Sequence, residues 1–208
     1  MPSGKHESAH VNFGLLIIEK IIMMGMPVRE LRGFGAERFK GSSSKEGDTC
    51  FKPRSRDYGA DLPTIVIEAG LSESLAKLKC DANWWLIQSG RRNGDKVMIV
   101  VTISIKPSDK SLRIEKWENA PAPERPITRA NPGPPIPIEI PTLIQQIIIK
   151  PNAATGTITP NEVTGAPLVM HFNKIFRRDP IAPQIDFTFT ANELAEFATD
   201  FWDIVKRY

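Results

Sequence analysis

Two apolar runs constrain this chain more than any other feature. Leu62 to Glu68 reads LPTIVIE, and Val97 to Ile105 reads VMIVVTISI. Both are short, rich in β-branched residues and nearly without polar alternation. That is the pattern of strands covered on both faces. Between them, Ser72 to Gln88 has helical spacing, with Leu75, Leu78, Ala82, Trp85 and Leu86 on one side. Ser72 is placed to cap this helix and Gly90 to stop it. Leu112 to Trp117 reads as a further strand, paired with Val97–Ile105 through a turn at Lys106 to Lys110. The fold class this predicts is α/β.

The flanks are less regular. Residues 1 to 10 are polar and small, and are expected to fray. Phe13, Leu16, Ile17, Lys20, Ile21 and Met24 follow a helical period that Gly25 to Pro27 ends. Val28 to Lys40 is mixed. Gly41 to Gly47 reads as a loop, and Thr49 to Phe51 as a short strand closed by Pro53. From Pro121 to Pro141 there are eight prolines, a density that excludes a helix or a central strand. This is either an extended excursion over the surface or a linker to a second domain. The segment beyond it is short for a strong core of its own and is expected to pack back on the first part. It contains strand-like runs at Leu143–Ile149 and Leu168–Phe172. It ends in a capping box, Thr190 to Glu193, and an apolar stripe of Leu194, Phe197, Ala198, Phe201, Trp202 and Val205. The expected organisation is one domain over 1–208: a core of about 12–118, a proline-rich excursion over 120–141, and an extension over 142–208 ending in an amphipathic helix.

Composition excludes some classes. Of 208 residues, 41% are hydrophobic and 25% charged, which permits a sizeable core. The net charge of +3 is compatible with a polyanion partner without requiring one. Cys50 and Cys80 match no zinc-ligand spacing and read as reduced thiols near the core. The apolar run Phe13 to Met26 is interrupted by Glu19 and Lys20, lacks a cleavage site and is too short to span a bilayer. The expectation is a soluble, intracellular protein of cytoplasm or nucleus.

The order of elements is a helix, a loop with Asp48, a strand ending in Glu68, a helix and a strand. This resembles the αβββαβ order of the restriction-endonuclease-like fold. The wording resembles a group of uncharacterised fungal proteins. KEGDTCFKP, DLPTIVIEAGLSESLAKLKCDANWWL, VMIVVTISI and IEKWE carry the likeness, together with LVMHFNKIF and DFTFTANELAEFATDFW in the tail. It covers roughly Glu46 to Trp117 and Gly165 to Trp202. That group is similar, more distantly, to Uma-type PD-(D/E)xK nucleases.

The resemblance implies a metal-dependent nuclease that hydrolyses DNA or RNA phosphodiester bonds with Mg²⁺ or Mn²⁺. Asp48 matches the Asp of the PD motif, with Gly47 in place of its proline. Glu68 matches the acidic residue of (D/E)xK. Both would ligate the metal. The motif lysine is absent, since Gly70 stands in its place; a basic residue of the following helix is expected to replace it, Lys79 first and Lys77 second. Glu19 of the first helix is the candidate third metal ligand.

Plainer readings stand beside these. A Glu closing a strand marks where the strand meets water, Asp48 is a turn residue, and Lys79 is solvated. Asp81 pairs with Lys77 along the helix. Trp84 and Trp85 pack in core and rim rather than stack on bases, and Gly90 to Gly94 is a solvated basic turn. Ser72-Glu73-Ser74 has no histidine near in sequence to activate a nucleophile. The missing lysine and proline point to an alternative function, a catalytically degenerate nuclease-fold protein that binds protein or nucleic acid. A dimerisation protein is a third reading, resting on the hydrophobic first helix and the proline-rich stretch.

Overall fold

A computed structural model describes residues 4–35, 38–40, 44–56, 62–71, 75–88, 96–123 and 139–206. The chain opens with helix α1 (Gly4–Met23), strand β1 (Leu31–Phe34) and a small hairpin, β2 (Arg38–Lys40) with β3 (Ser44–Glu46). β4 (Thr49–Pro53), β5 (Ile65–Leu71), α2 (Leu75–Gln88), β6 (Ile99–Lys106) and β7 (Ser111–Pro121) come next. The remainder is β8 (Glu139–Ile149), β9 (Val163–Thr164), β10 (Leu168–Met170), α3 (Phe172–Phe176), β11 (Phe187–Phe189) and α4 (Ala191–Val205).

Seven strands form one sheet in the order β1-β4-β5-β6-β7-β8-β9. β5 and β6 are parallel, in register from Ile65↔Ile99 to Leu71↔Ile105. Parallel neighbours need a crossover, and α2 supplies it. Every other pair in the sheet is antiparallel. The fold is therefore mixed α/β with a mostly antiparallel sheet.

The apolar runs are buried because both sheet faces are covered. Ile65, Ile67 and Ala69 join a large cluster with Phe13, Ile17 and Ile21 of α1 and Leu194, Phe197 and Phe201 of α4. Val66 faces the other way, into a smaller cluster with Ala82, Trp85 and Leu86 of α2. The period-2 alternation of a strand thus sends Glu68 to the α2 side, among aromatic and aliphatic groups. On the opposite side, Phe13 sits between the rings of Phe189 and Phe197, each 5.6 Å away. The C-terminal helix starts where its capping box lies: Thr190 Oγ1 accepts from the Glu193 N–H at 3.3 Å, and Glu193 Oε2 accepts from the Thr190 N–H at 2.8 Å.

Several local expectations change. The first helix begins at Gly4 instead of after a frayed decapeptide, because Ala9 and His10 are buried against the sheet and extend its apolar stripe toward the N-terminus. The stretch read as a loop over 41–47 contains β3, paired with β2. β5 runs three residues past Glu68, so Glu68 is a mid-strand residue rather than the strand's last. The prolines that bound the rich tract lie in paired strand ends, Pro121 opposite Glu139 and Pro141 opposite Asn119; a strand end tolerates a residue that donates no ladder hydrogen bond. Phe172 opens α3 instead of closing a strand. Cys50 is buried but Cys80 is exposed on α2. Residues 124–138 of the tract, the Ser72 cap, the Gly90 stop and the basic turn at 91–94 lie outside the described residues. Among the described residues, no helix is long and apolar enough to cross a membrane.

Candidate functional site

The site grows from Glu68. Its residue is only 5% exposed. The indole N–H of Trp85 on α2 donates to Glu68 Oε1 at 2.6 Å, and the Lys45 ammonium lies 3.5 Å from the same oxygen. Burial pushes the Glu68 carboxyl up to about 7, the charges of Asp48 and Asp81 push the same way, and Lys45 and the Trp85 bond oppose them. A carboxylate in such a place draws positive charge toward itself.

Asp48 is delivered by strand register. Thr49 pairs with Ile67 across β4 and β5, which sets Asp48 beside Glu68 and Ala69. Its Oδ2 accepts the Ala69 backbone N–H at 2.8 Å and stands 3.0 Å from His6 Nε2. Burial alone would raise the Asp48 carboxyl, but the bonds from His6 and Ala69 outweigh it and hold the group below the usual range. His6 moves the other way, raised chiefly by its bond to Asp48 against the cost of burial. One turn further along α1, His10 is buried, with Nδ1 2.8 Å from Thr49 Oγ1 and Nε2 3.3 Å from Glu7 Oε2. Burial lowers its imidazole below the ordinary value.

Gly47, which precedes Asp48, is tightly enclosed. A Cβ on Gly47 would stand 2.6 Å from Cys50 Sγ, 3.1 Å from Val66 Cγ1 and 3.2 Å from Trp85 Cζ2. The chain passes so close to the α2 layer that any side chain here would force Cys50 and its neighbours to shift.

The positive charge at the site comes from the hairpin. Lys45 of β3 reaches Asp81 Oδ1 at 2.6 Å as well as Glu68. Asp81 therefore pairs across the fold with Lys45 and not along its helix with Lys77. Lys79, the expected replacement for the motif lysine, is half-buried on α2 and has no charged partner among the described residues. Glu19 is exposed and lines a groove with Glu193, Glu196 and Asp200 of α4. It is nine residues beyond His10, about 13 Å along the helix axis at ~1.5 Å per residue. At the other end of that helix, His6 meets Asp48. A signal for this existed: His6, His10, Phe13, Ile17 and Ile21 share one helical stripe. Lys45, in a run of serines and charges, carried none.

The same sheet face continues the polar row. Glu68 pairs with Thr102 and Thr102 with Glu115. Glu115 is buried and accepts from the Trp117 indole at 3.2 Å. Two strand spacings separate it from Glu68, roughly 10 Å, so it supports the row from a distance.

The molecule these features define is a mixed α/β protein with a buried acidic site under one helix. No protein-family model matches the chain. No curated protein matches it either. Among solved structures it is similar to one described as "a putative nuclease belonging to DUF820" from Anabaena variabilis. The TM-score is 0.40 and the identity 18%, over 62% of this chain and 74% of that one.

Proposed function

We propose that the protein is a metal-dependent nuclease of the PD-(D/E)xK type, acting on nucleic-acid phosphodiester bonds. The observation that carries this reading is the buried carboxylate of Glu68, flanked by Asp48 and by the ammonium of Lys45. The topology supports it. With the β2–β3 hairpin set aside as an insertion, α1, β1, β4, β5, α2 and β6 make an αβββαβ unit with three antiparallel strands and a fourth parallel to the third.

The donor set fits a hard divalent cation such as Mg²⁺ or Mn²⁺, which prefers oxygen ligands. Asp48 binds the protein through Oδ2 and Glu68 through Oε1. Oδ1 and Oε2 are the oxygens these two residues would turn to a cation. When bound, the cation would activate water and neutralise charge on the phosphoryl group. The other side chains have supporting work. Trp85 fixes the Glu68 carboxylate in one orientation, and His6 keeps Asp48 ionised. Lys45 brings positive charge from β3 to a site where Gly70 leaves β5 without the motif lysine, and it takes the role that sequence alone assigns to Lys79.

Cleavage of DNA and RNA substrates with Mg²⁺ or Mn²⁺ tests the reading. Glu68→Gln and Lys45→Met are expected to lower the rate by roughly 100-fold or more, and Lys79→Met to change it little. An absence of metal-dependent cleavage, or a Glu68→Gln protein as active as wild type, overturns it. Nucleic-acid binding without cleavage would favour the catalytically degenerate alternative, in which Lys45 serves only to neutralise Glu68 and Asp81.

A further inference from the structure

We infer that the first two turns of α1 build a second, chemically distinct metal site for a borderline divalent ion such as Zn²⁺, with His6, Glu7 and His10 as ligands and Asp48 as the carboxylate that orients His6. The inference does not rest on the nuclease reading, because its three ligands are residues that reading does not use as ligands, and it needs neither Glu68 nor Lys45.

The geometry is the first argument. His6 and His10 are one helical turn apart, and Glu7 lies one residue after His6 and three before His10. Side chains three and four residues apart are neighbours on a helix, so His10 stands beside both. One ligand atom from each of these three side chains falls within 4.8 Å of the others. Asp48 supports the set from outside it, with Oδ2 3.0 Å from His6 Nε2. Within the set, His10 Nε2 lies 3.3 Å from Glu7 Oε2. Ligands around tetrahedral Zn²⁺ at ~2.0–2.1 Å are separated by roughly 3.3 Å along each edge, and a site with three protein ligands leaves the fourth position to water. The Glu7–His10 edge is therefore already near that length. Glu7 is mostly exposed and free to swing inward, while His10 and Asp48 are held.

The supporting contacts are the second argument. A metal-bound imidazole commonly engages its other nitrogen with a protein group, which sets the tautomer and aims the ligating nitrogen. His10 has this arrangement: Nδ1 meets Thr49 Oγ1 at 2.8 Å in the protein interior, and Nε2 turns toward Glu7. Asp48 is likewise fixed, by the Ala69 N–H. Chemistry separates this site from the Asp48–Glu68 pair. Two imidazole nitrogens and one carboxylate oxygen suit a borderline ion, whereas two carboxylates suit Mg²⁺. Asp48 holds His6 from the neighbouring acid pair, so an ion here would tie α1 to that site.

Titration of the chelator-stripped full chain with Co²⁺, read by the visible absorbance of tetrahedral cobalt, tests the inference directly. One equivalent with tetrahedral intensity, displaced by Zn²⁺ but not by Mg²⁺, is the expected result. His6→Gln and Glu7→Ala, at partly exposed positions, and His10→Ala are each expected to weaken binding by about tenfold or more, and Thr49→Val by roughly tenfold. Circular dichroism of each variant checks folding; the two at partly exposed positions keep the test decisive if His10→Ala does not fold. Glu68→Gln is expected to bind Co²⁺ like wild type even where nuclease activity is absent. No tetrahedral signal overturns the inference, as does cobalt binding unaffected in His6→Gln and Glu7→Ala. Binding lost in Glu68→Gln but kept in the histidine variants overturns it too, and assigns the ion to the carboxylate pair.

Discussion

Glu68 is buried, and its ionised form is disfavoured where it stands. Its folded carboxyl is raised to about 7 from an ordinary value of 4.5, chiefly by burial. Between those two values the folded protein binds more protons at this residue than the unfolded chain does. Stability contributed here is present below pH 4.5 and falls as pH rises toward 7. Glu68→Gln keeps an acceptor for the Trp85 indole and removes the charge. It is expected to stabilise the protein above pH 7 by on the order of 1–3 kcal/mol and to change little at pH 5. Thermal unfolding of both proteins at the two pH values measures this; a variant that melts lower than wild type at pH 8 would refute the account. A residue that costs stability when ionised is the kind found at functional sites. The sequence placed Glu68 correctly in an apolar strand. It could not show that the strand continues past it, and so it hid how deeply the acid is buried.

At the scale of elements, local signals were the legible ones. The α4 capping box needs only residues within one turn, and both of its reciprocal bonds form. The β6–β7 turn was readable for the same reason. The β2–β3 hairpin was not. It is short and polar, and what ties it down is the ion pair from Lys45 to Asp81 on α2, a contact distant in sequence. Gly47, just after it, carries a strict demand for space. Gly47→Ala places a methyl group against Cys50, Val66 and Trp85. The expected loss is about 1–3 kcal/mol, seen as a lower urea midpoint with an unchanged slope. On the proposed nuclease reading the same substitution should reduce cleavage, since Trp85 and Glu68 would have to move together. A neutral Gly47→Ala would mean that the chain here relaxes freely.

Across the whole molecule, the segment after the proline-rich tract shares the core of the first part. Ile147, Leu168, Phe172, Phe189 and Phe201 lie in the same cluster as Phe13 and Ile67. A buried polar tie adds to it. Lys116 of β7 donates to the Val169 carbonyl at 2.6 Å and sits 3.4 Å from Glu118, which also takes Lys174 of α3. Lys116 and Glu118 are each 3% exposed. Removing one partner of such a pair leaves the other charge buried. Glu118→Ala is expected to cost about 3–5 kcal/mol in denaturant unfolding, and Lys174→Ala less, because its side chain is 30% exposed. Equal effects from the two would argue against a buried tie centred on Glu118.

The sequence by itself determined the order and type of the main elements, because periodicity and capping act over a few residues and each strand or helix carries its own pattern. It also marked Asp48 and Glu68 through their resemblance to a known motif. Only the tertiary structure decided which charges meet. His6 and not Glu19 joins Asp48, because a helix carries residues a fixed rise apart and only one end of α1 reaches the start of β4. Lys45 and not Lys79 faces Glu68, because strand register and the hairpin's fold over α2 are long-range facts that no local pattern encodes.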